Sequence, residues 1–169
     1  MSISPIIHFA KQTFSNNKIN CLEIGARYEE SSKIILQNFN VENYFIVEPY
    51  TSYDEYVLDG FNSIINDDSD DIIYKNVKSE LTQLNKNVKF YRTFSSNINT
   101  ISQIPNESID FIFIDANYTY KYVLEDLQNY YPKLRENGIF CGDDFFMRSH
   151  ENDIKKMDME RYLEYISNF

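Results

Sequence analysis

Glycine and proline are scarce in this 169-residue chain, at four each, and cysteine and histidine number two each. No stretch reads as a linker and no internal repeat is visible. The expectation is therefore one domain over residues 1–169, long enough to bury a core. Lysine and arginine form no rich segment, and the formal net charge is −10. Binding along a nucleic-acid backbone needs clustered cations, so no extended nucleic acid is expected as a partner. No apolar run approaches transmembrane length, and Met1–Phe14 is too short and too polar for a signal peptide. These absences point to a soluble, cytoplasmic protein with no membrane partner. Cys21 and Cys141 each fall in an expected central strand, which suits buried free thiols better than a disulfide. The acidic run Asp67–Asp71 lacks the spacing and closing Glu of an EF-hand, so it reads as a solvated loop and helix start.

What the chain does have is an alternation of apolar strands and amphipathic helices. Ser4-Pro5 starts a helix whose apolar face carries Ile6, Ile7, Phe9, Ala10 and Phe14. His8 lies on that helix and reads as structural. Ile19–Ile24 is a short strand ending at Gly25, and Ser31–Phe39 has helical periodicity. Tyr44–Val47 is a second strand, closed by Glu48-Pro49. Thr51–Asp71 has room for a short helix, and Ile72, Ile73, Val77, Leu81 and Leu84 mark a longer one. Val88–Thr93 is the third strand and Asn97–Ile104 a short helix. Asp153–Phe169 makes a last helix. This order predicts an α/β fold, doubly wound around a mostly parallel sheet of order 3-2-1-4-5 with helices on both faces.

Asp110–Phe145 is the most informative stretch, DFIFIDANYTYKYVLEDLQNYYPKLRENGIFCGDDF. Two apolar strands, Asp110–Asp115 and Gly138–Asp144, flank an amphipathic helix, the pattern of a right-handed crossover between parallel strands. Such sheets bind ligands outside the carboxyl ends of their strands. Asp115, Asp143 and Asp144 are therefore expected at one edge, able to hold a metal or polar substrate or to serve as structural caps. Tyr120, Tyr122, Tyr130 and Tyr131, at helical spacing, read as core and rim packing rather than a stacking surface.

The segments CLEIGARYEESS, YFIVEPY and IDFIFIDANYTYKYVLEDLQNYYPKLRENGIFCGDDF, in this order and over roughly Asn20–Phe145, resemble class I S-adenosylmethionine-dependent methyltransferases. The resemblance is to the small O-methyltransferases of macrocin-like type. It implies a Rossmann-like core over residues 19–145, between an N-terminal helix (1–18) and a C-terminal helix (151–169). It also implies S-adenosylmethionine as cofactor, and O-methylation of a small molecule or sugar hydroxyl. Glu23, Gly25, Ala26 and Ser31 would form the first cofactor loop, Glu48 the ribose acceptor, and Ser95 the adenine side, with Asp115 at the active edge. Asp115, Asp143 and Asp144 would hold a divalent cation such as Mg²⁺, and Asp115, Tyr118 and His150 are the catalytic candidates.

The chain departs from the family pattern at two places. Glu29-Glu30 stand where a glycine-rich loop would meet the cofactor carboxylate, and would repel it. Tyr118 stands where the family commonly has a His base; a phenol with pKa near 10 is a poor base at neutral pH. His150 is the possible substitute. Only 169 − 144 = 25 residues follow Asp144, too few for the antiparallel hairpin that usually completes the sheet. Strand 5 is then an open edge through which two copies could pair as a homo-oligomer. The alternatives to an enzyme on a small-molecule acceptor are a catalytically inactive methyltransferase-like binding or assembly module, or another metal-assisted reaction at the acidic edge.

Overall fold

The computed structural model describes residues 3–51, 67–117 and 119–142. The short helix considered within 51–71 and the last helix at Asp153–Phe169 lie outside the described residues, apart from Asp67–Asp71 discussed below. The elements are α1 (Ser4–Phe14), β1 (Lys18–Ile24), α2 (Glu30–Asn38), β2 (Asn40–Val47), α3 (Asp67–Leu84), β3 (Val88–Tyr91), α4 (Ile98–Gln103), β4 (Ile109–Ile114), α5 (Tyr120–Tyr130), a 3₁₀ turn (Tyr131–Lys133) and β5 (Leu134–Gly142).

All four strand pairings are parallel and the sheet order is β3-β2-β1-β4-β5, the doubly wound order expected from the sequence. β4 is buried along its whole length, because as an interior strand it is covered on both faces. Its one charged residue, Asp110, is buried and satisfied at the amino end. It accepts from the Asn20 backbone N–H at 2.7 Å and pairs with Arg135 Nη1 at 2.9 Å.

Strand alternation sends Cys21, Tyr44, Ile46, Phe111 and Phe113 to one face, where Ala10, Phe14, Ile35, Val77 and Leu81 cover them from α1, α2 and α3. Leu22, Ile24, Val47, Ile112 and Ile114 face the other way, against Ile101, Ile104 and Tyr130 of α4 and α5.

Three details differ from the sequence expectation. The acidic run is the expected helix start, forming the first turns of α3, but none of it is loop and two of its acids hold arginines. Asp70, 4% exposed, holds Arg27 Nη2 at 2.7 Å, and Asp71 holds Arg92 Nη2 at 2.6 Å. Cys141 lies on β5, the outer strand of the described sheet, and is half-buried, whereas Cys21 is fully buried; both are free thiols. His8 is exposed, within 3.5 Å of Gln12 Nε2 one turn along α1. No helix among the described residues is long and apolar enough to cross a membrane.

Candidate active site

The register aligns the carboxyl ends of the strands. Ile24 pairs with Val47 on one side and with Ile114 on the other, Val47 pairs with Tyr91, and Ile114 with Gly142. Backbone hydrogen bonds continue one residue further: Gly25 N–H to the Val47 carbonyl (3.1 Å), Glu48 N–H to Tyr91 (3.1 Å) and Asp115 N–H to Ile24 (2.8 Å). Glu48, Gly25 and Asp115 thus stand side by side along one edge, at the switch between β1 and β4 where a doubly wound sheet takes its ligand.

A cleft of about 290 Å³ opens over this edge, near the lower end of small-molecule sites. Gly25, Glu48, Ser95 and Asp115, all expected from the sequence, line it. Glu23, Ala26 and Ser31 do not. Glu23 sits one residue before the strand end, with its side chain turned to the helical layer and fully buried. Its carboxylate accepts hydrogen bonds from the hydroxyls of Ser31, Ser32 and Tyr44, clamping β1 to α2 and β2. Burial raises its pKa, against the lowering effect of these donors. Ala26 is buried, and its carbonyl accepts from the Tyr50 hydroxyl at 3.2 Å. Glu23→Ala would leave three hydroxyls without their acceptor while removing a buried acid, for an expected net loss of about 2–3 kcal/mol in denaturant unfolding. Glu23→Gln, which keeps an acceptor, should cost less.

Glu29 does not meet the cleft either. As the residue capping α2 it pairs with Lys33 at 3.0 Å, and Lys33 also pairs with Glu80. The repulsion of an anionic ligand expected from Glu29 is thus reduced by a neighbouring ammonium.

Gly25 has φ +90°, and a Cβ there would lie 2.1 Å from the Asp115 carbonyl oxygen. The glycine is required by the chain's own β4 end crossing it, which lets two interior strands deliver their next residues to the same spot. Glu48 is 7% exposed and its Oε1 accepts from the Tyr50 N–H at 2.9 Å, a turn made possible by Tyr50 at φ +49°. Burial pushes the Glu48 carboxyl up to about 7, while Arg27, also on the cleft, pulls it down.

Four lining residues, Arg27, Tyr122, Glu125 and Asp126, were not legible as such. Arg27, two residues before Glu29-Glu30, carries no signal of its own in the sequence. Tyr122 and Asp126, with Glu125, come from one face of α5. Their i, i+3, i+4 spacing is the signal that could have found them, since it puts two acids on a helix face that turns inward. Tyr130, by contrast, is core: its ring is buried and its hydroxyl donates to the Ser95 carbonyl at 2.8 Å. Tyr131 stacks at a tilt on Phe140, centroids 6.1 Å apart.

Tyr118, Asp143, Asp144 and His150 lie outside the described residues. Among the described residues no three His, Cys, Asp or Glu side chains converge to hold a metal ion.

The geometry has counterparts. Residues 22–145 match the family described as a methyltransferase domain. A protein of Corynebacterium glutamicum shares the fold with a TM-score of 0.64 at 12% identity, over 99% of this chain and 72% of that one. A Methanococcus maripaludis protein, provisionally assigned as an S-adenosyl-L-methionine-dependent methyltransferase, gives 0.59 at 13% identity, over 96% and 74%. A Galdieria sulphuraria protein, provisionally assigned as a sarcosine dimethylglycine methyltransferase, gives 0.54 at 16% identity, over 95% of this chain and 51% of that one. At these identities the likeness is one of fold. A comparison of the sequence with curated proteins finds no match. The family match spans well over half of the chain, with its strand ends and cleft inside it, and the chain belongs to the methyltransferase domain family.

Proposed function

We propose that this chain binds S-adenosylmethionine in the cleft and transfers its methyl group to a hydroxyl of a small molecule or sugar, as a macrocin-like O-methyltransferase in the cytoplasm. The observation that carries the reading is the buried Glu48 carboxylate, set beside Gly25 and Asp115 on the wall of the cleft.

The residues present fit an adenosyl ligand. One oxygen of Glu48 is held by the Tyr50 N–H, which fixes the carboxylate to accept from vicinal ribose hydroxyls. The loop after β3, with Phe94 47% exposed and Ser95, borders the same cleft and suits a flat base. Asp115 offers a carboxylate to the positively charged methionine end or to the acceptor hydroxyl. When bound, the cofactor supplies an electrophilic methyl on a sulfonium. The chain's part is then to hold acceptor and methyl in line and to take the acceptor proton. Asp115 is the proposed base from the described residues, with Tyr118 and His150 the further candidates from the sequence. Metal assistance by Asp115, Asp143 and Asp144 is the variant suggested by the family resemblance, and no step here depends on it. Pairing of two copies along β5 is likewise a proposal; dissociation-free monomer mass in concentration-series scattering would refute it.

Calorimetric titration with S-adenosylmethionine and S-adenosylhomocysteine, with and without Mg²⁺, tests the reading. Micromolar binding is expected, weakened about 100-fold by Glu48→Ala, the loss of a charged acceptor from a buried site. No heat at millimolar ligand would overturn it. Fragmentation spectra of the products, which locate the added methyl on oxygen or nitrogen, then separate hydroxyl from amine acceptors.

A further inference from the structure

Asp70 is buried, although it stands in the acid-rich first turns of α3. A carboxylate is rarely buried unless it is paired, and the partner here is Arg27, whose Nη2 donates to Asp70 Oδ1 at 2.7 Å. Arg27 comes from the loop after β1 and lines the cleft, as does Glu48 at the end of β2. The guanidinium serves these two buried acids in different ways. Asp70 receives its hydrogen bond, and Glu48 feels its charge. The Tyr28 ring, with its centroid 5.9 Å from the guanidinium carbon, steadies Arg27 further. The next acid of α3 holds the second arginine of this region. Asp71 takes Arg92 Nη2 at 2.6 Å, where Arg92 also reaches the Tyr50 carbonyl at 3.4 Å. Each arginine beside the Glu48 turn is thus supplied with a carboxylate from α3.

We infer that Asp70 and Arg27 are positioning residues for Glu48: Asp70 holds the arginine so that it lends Glu48 its charge without filling the carboxylate, which stays ionised and open to the ligand. The inference rests on the adenosyl reading proposed above. The groups around Glu48 make a cation necessary. Burial disfavours its ionised form, and Glu23 from β1 and Asp70 from α3 add negative charge. Asp115 after β4, with Glu125 and Asp126 of α5, brings further carboxylates to the same cleft. Arg92, from the β3 side, is already paired with Asp71. Against these stand the Tyr50 N–H and Arg27. An arginine suits the task because it stays charged at any working pH, so its field on Glu48 does not itself titrate. A direct bridge from Arg27 to Glu48 would occupy the lone pairs that ribose hydroxyls need, and Asp70 competes for that bridge.

The test is calorimetric titration of S-adenosylhomocysteine between pH 5.5 and 9 into the wild type, Arg27→Met, Asp70→Ala and the milder Asp70→Asn, with thermal unfolding of each as a control for folding. Wild-type affinity should rise to a plateau with a midpoint near pH 7, where Glu48 loses its proton. Arg27→Met should move that midpoint up by about one pH unit, which lowers affinity about 5-fold at pH 7 and leaves it within about 2-fold at pH 9. Asp70→Ala should do the opposite. Its midpoint should fall, while its plateau affinity drops about 10-fold because the released arginine closes on Glu48. Asp70→Asn should shift both in the same direction by less, and it decides this arm if Asp70→Ala does not fold. Midpoints unchanged in the folded variants, with affinity lost equally at every pH, would mean that Arg27 only touches the ligand and would overturn this inference alone. A wild type whose affinity does not vary with pH would do the same. A wild type that does not bind at any pH overturns the adenosyl reading together with it.

Discussion

Gly25→Ala is expected to destabilise the chain by about 4 kcal/mol or more, among the largest effects any single methyl could have here. Two independent penalties combine. The backbone at φ +90° lies in a region that L side chains rarely adopt. The added Cβ would also sit 2.1 Å from the Asp115 carbonyl oxygen, 2.5 Å from its carbon and 2.7 Å from the Ala116 Cα. All three are backbone atoms, so no side-chain rotation relieves the overlap; β1 and β4 must separate at their carboxyl ends. The bond from Asp115 N–H to the Ile24 carbonyl would go with them. Urea denaturation should show a midpoint shifted far downward, and any folded remainder should have lost ligand binding, because Asp115 moves with the strand. Near-normal stability would mean that the strand ends do not cross as described.

The second large effect is on pH dependence. Burial raises the Glu48 carboxyl from 4.5 to about 7 and the Asp126 carboxyl from 3.8 to about 6. Folding favours the protonated form of each. The contribution to stability is present in full below the unfolded-state values and declines as pH rises through the folded ones. Each displacement corresponds to about 3 kcal/mol at 1.36 kcal/mol per tenfold change. Glu23, also raised by burial, acts in the same direction. Glu29, held below its usual range by Lys33, acts oppositely, but only at or below pH 4.5. The ligand-free chain should therefore unfold at a higher temperature near pH 5 than near pH 8. Glu48→Gln and Asp126→Asn together should flatten that slope. A stability that rises from pH 5 to pH 8 would contradict the burial of these acids. Ligand that pairs with ionised Glu48 should bind more tightly as pH rises through 7, so its stabilising effect grows as the free chain weakens.

The strands were legible because an interior parallel strand is covered on both faces; Phe111–Ile114 announces this as an unbroken apolar run, and β1 as a mostly apolar one interrupted at Asn20 and Glu23. With helices between them, the doubly wound order followed, and with it the edge where Glu48, Gly25 and Asp115 meet. The edges of elements were less clear: β2 begins at Asn40, four residues before the apolar run at Tyr44, because ladder pairing continues where its side chains are partly exposed. Glu23 and Asp126 show the limit most plainly. Both are acids beside apolar residues, yet the sequence marks a ligand contact at Glu23 and nothing at Asp126. The fold reverses this. Glu23 turns to the helical layer, where Ser31, Ser32 and Tyr44 meet it, and Asp126 turns to the cleft.

The sequence by itself determined the layer order, the parallel sheet and the identity of the residues that follow each strand, since hydrophobic periodicity and strand-end acids are local properties. Only the tertiary structure decided which acids face a ligand and which brace the core. That choice depends on the register of neighbouring strands and on which hydroxyls and amides a fold brings from distant positions to satisfy a buried charge, and neither is written in any one segment.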